Sequence, residues 1–310
     1  MSEPMGELDH LLGERLFGAG CTATAIARDT LPLLDLAHGD ASVAAVVLYG
    51  SRLFPGSPDS EPDYYVIVDS LRAFHRDLAS ALANLPLPPS VYHLPIRTLD
   101  GPRTCKASVI STRQLQHETS PRARDLHHLG RFSKPLALLF ARDDAAFRLV
   151  RDAQISSLTT LAPLAISLLG PRFTAEEFMM ALLGLSYRGE HRIFEPGKVR
   201  AILDADRSFG LRVARLLLTA ERITDCDGWY RRPAHINRRS TLRLIARSRL
   251  RDLARWPRYM ATFDGWLDYV QRKLERHCGR PLELTPRQKR FPLLFGWPAL
   301  LSLRRQGLLR

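Results

Sequence analysis

The chain has 310 residues, of which 45% are hydrophobic, and carries a formal net charge of +13. That hydrophobic content excludes a disordered chain, and the length suits one large or two modest domains. No apolar run reaches the roughly 18 residues of a membrane-spanning helix, so no segment is expected to span a membrane as a helix.

The positive charge is concentrated at one end. Residues 231–310 hold 20 Lys+Arg against 5 Asp+Glu, whereas residues 1–230 hold 25 against 27. Such a tail seeks phosphate, on a lipid surface or on a nucleic acid; the alternative is an Arg-rich solvated surface. The start, MSEPMGELDHLLGERL, is acidic and lacks both a signal-peptide core and the Arg/Ser-rich composition of a mitochondrial presequence. Cys21, Cys105, Cys226 and Cys278 are far apart with no C-x-x-C, as expected of reduced structural thiols in a cytosol.

In chain order, residues 5–37 are mostly helical in pattern, with Leu8, Leu11, Leu12 and Leu16 at helical spacing. Val43–Tyr49 is an apolar, β-branched run of strand length. Gly50 permits a sharp turn and a close backbone approach, and Ser51 offers a hydroxyl and an N–H to a phosphate. A Pro/Gly/Ser-containing loop follows, and Asp63 opens a second strand, Tyr64–Val68, where its carboxylate can hold a divalent cation. On residues alone this is equally a β-hairpin with a polar loop.

Leu71–Leu85 reads as an amphipathic helix, and Val91–Ile96 and Cys105–Ser111 as short strands around a turn at Asp100-Gly101-Pro102. Residues 136–220 are Leu/Ala-rich and read as helical, with few strand signals. Within them Phe173–Leu185 starts at a candidate N-cap, Thr174, and Lys198–Leu203 and Phe209–Ile223 read as further helices. In the tail, Leu242, Ile245, Ala246, Leu250, Leu253 and Trp256 share one helix face, and Phe263, Trp266, Leu267, Val270 and Leu274 share another. Each suits either a core or a membrane interface. Residues 291–310, with Pro292, Gly296 and Pro298 among Phe, Trp, Leu and Arg, favour lipid.

A strand, Gly-Ser and then Asp at a strand start is the layout of the nucleotidyltransferase superfamily. Five segments make the resemblance narrower. They are Tyr49-Gly50-Ser51-Arg52-Leu53-Phe54-Pro55; Asp63 to Asp69 followed by His75; Lys106 with Val109-Ile110-Ser111-Thr112; Gly130-Arg131 with Lys134-Pro135; and Gly184-Leu185-Ser186-Tyr187 with Gly189, Glu190, Arg192, Glu195, Lys198 and Val199. In this order they resemble the peripheral phosphatidate cytidylyltransferases of mitochondrial type, the translocator assembly and maintenance family. The likeness fades after about residue 225.

That resemblance implies an α+β (α/β) architecture: a nucleotidyltransferase-fold mixed sheet with helices over residues 1–135, and a mainly helical domain over 136–225, for which a winged-helix-like form is one option. Beyond the likeness, the basic, aromatic-interleaved amphipathic pattern of residues 226–310 leads to the expectation that this region associates with an anionic membrane. The resemblance implies an enzyme that uses CTP, phosphatidic acid and Mg²⁺ to make CDP-diacylglycerol. Another nucleotidyltransferase-fold enzyme, acting on a protein, RNA or small molecule, is the alternative.

By the same resemblance Gly50 and Ser51 hold the CTP phosphates and Asp63 is the metal ligand. Lys106, Arg131, Lys134, Arg192 and Lys198 contact substrate phosphates, and Ser51, Asp63 and Lys106 are the catalytic set. Asp69 shares a face with Asp63 but lies roughly 20 Å along the strand; Glu61, roughly 7 Å away, could assist. Glu190 and Glu195 are expected to orient arginines, and His127 and His128 to be structural. No RNA-module motif is found, so no nucleic-acid partner is expected. Nothing in the sequence specifies an oligomer. The expected location is the inner face of a bacterial cell membrane, with the mitochondrial matrix side less favoured.

Overall fold

A computed structural model describes residues 3–18, 40–53, 61–76, 82, 84–98, 101–191, 196–262, 271, 275 and 285–290. In chain order the elements are α1 (Glu3–Gly18), β1 (Val43–Tyr49), β2 (Asp63–Val68), α2 (Leu71–His75), β3 (Ser90–Thr98), β4 (Gly101–Ser111), α3 (Thr112–Glu118), α4 (His127–Phe132) and β5 (Leu136–Ala141). Then follow α5 (Asp144–Leu168), β6 (Arg172–Phe173), α6 (Ala175–Arg188), α7 (Pro196–Asp204), α8 (Arg207–Ala220), β7 (Asp225–Cys226), β8 (Trp229–Arg231) and α9 (Arg238–Thr262).

The main sheet has the order β3-β4-β2-β1-β5. β2 and β4 run parallel, and the other neighbours are antiparallel. β1 is buried from Val43 to Leu48. Its unbroken apolar sequence follows from burial on both faces. Ala45, Val47, Tyr65, Ile67 and Ile110 face helices, packing with Leu16, Leu115, Phe132 and Val150. Val46, Leu48, Tyr64, Val66, Cys105, Ala107 and Val109 form the core of the opposite face. A third core, mainly helical, gathers Leu8, Leu12, Leu158, Phe178, Leu182, Val213 and Leu217. The mixed α+β architecture expected from sequence is thus present. Among the described residues no helix is long and apolar enough to cross a membrane.

Several elements differ from the sequence reading. Leu136–Ala141, read as the start of the helical part, is the fifth strand, paired with Ala45–Tyr49. A six-residue apolar run carries no period that separates strand from helix, and the open edge of β1 decides. The helix expected over Leu71–Leu85 spans Leu71–His75, because Arg76 turns left-handed at φ 60° and returns its N–H to the Arg72 carbonyl. Leu71 is buried but Leu82 and Leu85 are exposed, so the far end of the apolar stripe that suggested a longer helix is not buried. β3 and β4 are longer than expected, since their antiparallel register runs from Ser90–Val109 to Thr98–Gly101. α6 follows expectation: the Thr174 hydroxyl accepts from the Glu177 N–H, and Glu177 answers with a capping box. The expectations for residues 19–37, 263–270 and 291–310 lie outside the described residues.

α9 buries only part of the apolar face read from its sequence. Thr241, Ile245, Ser248, Asp252 and Arg255 are buried, at alternating spacings of four and three, while Leu242 and Leu250 are exposed. Polar side chains therefore dock this helix. The Thr241 hydroxyl accepts from Ser167, the Ser248 hydroxyl accepts from the Leu126 N–H, and Asp252 accepts from the His191 N–H. Arg255, fully buried, donates to Asp125 at 2.7 Å and to the Pro88 carbonyl at 3.1 Å. Arg251 donates to the same Asp125 oxygen at 2.7 Å. Burial would raise the Asp125 carboxyl, but the two guanidiniums outweigh it and hold it at about 2.

His128 completes this network. Its Nε2 is 3.1 Å from the Pro88 carbonyl and its Nδ1 is 3.1 Å from the Tyr65 hydroxyl. A neutral ring satisfies both, with Nε2–H donating and Nδ1 accepting. Burial, with Arg255 alongside, pushes its pKa down to about 3. Its unfolded value is near 6.5, so the unfolded chain takes up a proton that the folded chain refuses between those two values. Stability is therefore full above pH ~6.5 and falls as pH drops toward the folded value, by at most about 1.4 kcal/mol per pH unit for this group. Urea titrations from pH 7 to 5 test this: His128→Gln should flatten the pH slope, and an unchanged slope would locate the titration elsewhere.

Candidate active site

The register of three strands brings the first group of site residues together. β1 places Tyr49 opposite Asp63, and β2 places Asp63 opposite Lys106. Side chains alternate along each strand, so Tyr49, Asp63 and Lys106 project on one face, the face that carries Tyr65. The Tyr49 ring packs on Tyr65 at 4.8 Å between centroids, and its hydroxyl lies 3.4 Å from Ser108. Gly50 follows at the strand end with φ 90°, and Ser51 opens a short 3-10 turn to Leu53. A Cβ at Gly50 would stand 3.0 Å from Asp63 Oδ2, so glycine leaves that carboxylate oxygen an open approach.

Lys106 sits between two acids. Its Nζ is 3.4 Å from Glu61 Oε2 and 3.9 Å from Asp63 Oδ1. Glu61 also accepts from the Thr104 hydroxyl at 3.0 Å. The aim of Glu61 is unreadable across Pro62 in sequence; the carbonyl of Pro62 accepting the Lys106 N–H is what aligns it. Asp69 pairs with Arg142 at the other end of β2 and takes no part. Among the described residues no group of three or more His, Cys, Asp or Glu is arranged to hold a metal ion. The local donor set around Lys106 is the two carboxylates of Glu61 and Asp63. That set suits Mg²⁺, which takes one or two carboxylates and fills its octahedron with phosphates and water.

The α4–β5 connection supplies the second group. Phe132 packs on Tyr65 at 5.2 Å, which sets residues 131–134 over the same face. Lys134 donates to the Ser186 hydroxyl at 2.6 Å, and its Nζ lies 4.1 Å from the centre of the Tyr187 ring. Arg131 is engaged differently. It pairs with the buried Glu190 and donates to the His127 carbonyl at 2.8 Å, linking α4 to the end of α6. The expected orienting role of Glu190 is realised at Arg131, with His127 3.5 Å from the same carboxylate. Lys198 stands exposed on α7, and Arg192 and Glu195 lie outside the described residues, as do Phe54 and Pro55. Ala107 packs on the far face, between Tyr64 and Tyr92 in register, so it belongs to the sheet core.

Gly130 permits the approach of α4 to α6. A Cβ there would fall 2.1 Å from Ser186 Cβ, the residue that anchors Lys134. Gly184, two residues earlier on α6, has nothing within 4 Å of its added Cβ. Gly130→Ala should therefore destabilise the fold by about 1–3 kcal/mol through overpacking. Gly184→Ala should be neutral or stabilise by up to about 1 kcal/mol through helix propensity. Thermal unfolding of the two variants reads the contrast, and equal midpoints would contradict the close packing.

Residues 41–210 match the family described as phosphatidate cytidylyltransferase, mitochondrial. A curated protein of Xenopus laevis named phosphatidate cytidylyltransferase, mitochondrial, is 33% identical over 103 residues. That stretch is 33% of this chain and 29% of the relative, so the likeness spans less than a third of the relative's length. Both descriptions are mitochondrial, which overturns the expectation of a bacterial cell-membrane location. The matched region contains every segment singled out in sequence, from the Gly50 turn to Lys198, and by that match the chain belongs to the mitochondrial phosphatidate cytidylyltransferase family.

Proposed function

We propose that this chain transfers a cytidylyl group from CTP to phosphatidic acid at a membrane surface, giving CDP-diacylglycerol and pyrophosphate with the help of Mg²⁺. One observation carries the reading: Gly50, with Ser51 next to it, Asp63 and Lys106 meet at one end of the β1–β2 ladder, in the middle of the sheet, in a chain of this family.

The chemistry asks little of a general base. The second pKa of a phosphomonoester is near about 6, so phosphatidic acid arrives largely dianionic. One of its phosphate oxygens forms a bond to the α-phosphorus of CTP, and the bond to the bridging oxygen of pyrophosphate breaks. What the protein supplies is alignment and positive charge. The Gly50–Ser51 turn offers backbone N–H groups and a hydroxyl to the triphosphate. Asp63, with Glu61 beside it, would hold Mg²⁺, which when bound neutralises phosphate charge and aligns the reacting phosphoryl group.

Lys106 is drawn to both acids, and on substrate binding it would turn from them to phosphate. Lys134, held by Ser186 and Tyr187, would meet phosphate from the helical side. Arg131 would act by fixing the α4–α6 junction. Lys198 and Arg192 would extend the same positive lining. The exposed Leu242 and Leu250, interleaved with exposed Arg239 and Arg243 on α9, support a membrane contact through the C-terminal region.

Purified protein with labelled CTP, phosphatidic acid vesicles and Mg²⁺ tests the reading. CDP-diacylglycerol should appear with wild type and fall about a hundredfold or more with Asp63→Ala. Turnover with ATP or another acceptor in place of these substrates would contradict it. In the same assay Gly50→Ala should weaken CTP use, because its Cβ meets Asp63 and a left-handed φ costs an alanine about 1–2 kcal/mol. Full CTP use by that variant would remove Gly50 from the proposed cradle.

A further inference from the structure

The β7–β8 hairpin presents its own candidate contact surface. Its turn uses Asp227 at φ 55° and Gly228 at φ 83°, two successive left-handed residues that match the twist of a tight hairpin. Its inner side is satisfied. The Gly228 N–H donates to Asp225 Oδ1 at 2.7 Å, and the Tyr230 hydroxyl donates to Asp225 Oδ2 at 3.0 Å. Tyr230 is buried and stacks on Phe173 at 5.9 Å. The hairpin is thus braced by one acid and one ring pair.

Its outer side is different. Cys226 lies opposite Trp229, and Arg231 lies opposite Arg172 on β6. All four are exposed, and the indole of Trp229 keeps 51% of its surface. Like charges directly opposite on neighbouring strands destabilise a sheet. Arg172 and Arg231 face each other, and among the described residues neither forms an ion pair. Exposed Arg222 precedes β7, and Asp227 is the acid at the tip. Folding gains little from a half-bare indole beside two facing guanidiniums, whereas an anionic interface would reward both features.

We propose that this hairpin is a rigid wedge for an anionic phospholipid bilayer, with Trp229 at the headgroup boundary and Arg172 and Arg231 on lipid phosphates. Tryptophan favours that boundary, and arginine gains from a negative surface. A nucleic acid is the lesser fit, because protein–DNA contacts typically engage about 6–10 phosphates and this outer face is narrow.

The test uses the full chain and vesicles of phosphatidylcholine with and without phosphatidylglycerol. The latter is anionic but is not the proposed substrate, so failure here is distinct from failure of the proposed reaction. Arg172→Gln and Arg231→Gln should each weaken partition to anionic vesicles about fivefold. Trp229→Ala should weaken it by at least as much, and Trp229→Phe should retain most of it, which guards against misfolding. An environment-sensitive label on Cys226, in a chain with Cys21 and Cys278 changed to serine, should shift to the blue when anionic vesicles are added. Cys105 will not compete for the label, since burial pushes its thiol up to about 12. Unchanged partition in the variants, or an unshifted label on vesicle-bound protein, would overturn the proposal. So would loss of affinity for a short duplex DNA with vesicle binding intact.

Discussion

Everything at the candidate site depends on the pairing of β2 with both of its neighbours. The antiparallel ladder to β1 sets the Gly50 turn against Asp63, and the parallel ladder to β4 sets Lys106 on the other side. Two acids and one lysine then occupy one small patch. The lysine offsets the repulsion between the acids, and its charge is available to a phosphate that approaches them. A one-residue slip of β2 would send Asp63 to the far face of the sheet, so the buried, alternating cores on both faces also fix the chemistry.

A second constraint ties α9 to this patch. Arg255 and Arg251 on α9 pair with Asp125, and Arg255 shares the Pro88 carbonyl with His128. His128 holds Tyr65, and Tyr65 packs on Tyr49 at the end of β1. A continuous buried chain of polar and aromatic contacts thus runs from the Arg-rich region to the strand that ends at Gly50. Breaking one partner of such a network strands a buried charge, at a cost of about 3–5 kcal/mol. This is the physical reason that α9 turns its polar stripe inward and leaves leucines in water.

Much of the sheet was legible in the sequence, because Val43–Tyr49 and Tyr64–Val68 are apolar, β-branched and bounded by turn residues. The association of Gly50, Ser51, Asp63 and Lys106 was legible only through the resemblance, since no local pattern predicts the parallel register that unites Asp63 with Lys106. Leu136–Ala141 was misread because a short apolar run lacks a period. The docking of α9 was left open between a core and a membrane interface, because periodicity marks the apolar face and says nothing of a buried Asp–Arg network 126–130 residues apart in sequence. Arg131 looked like a phosphate contact beside Lys134; its burial against Glu190 emerges only when α4 meets α6 at Gly130. Glu61 was visible as a nearby acid, and Lys106 is what draws it into the site.

The central claim is that Asp63, assisted by Glu61, receives a divalent cation that arrives with a nucleotide triphosphate. Electron paramagnetic resonance of Mn²⁺ in place of Mg²⁺ reads this directly. The account predicts a protein-bound Mn²⁺ signal that needs CTP, weakens with Glu61→Gln and disappears with Asp63→Asn in a folded protein. An equally strong CTP-dependent signal from the Asp63→Asn protein would contradict it.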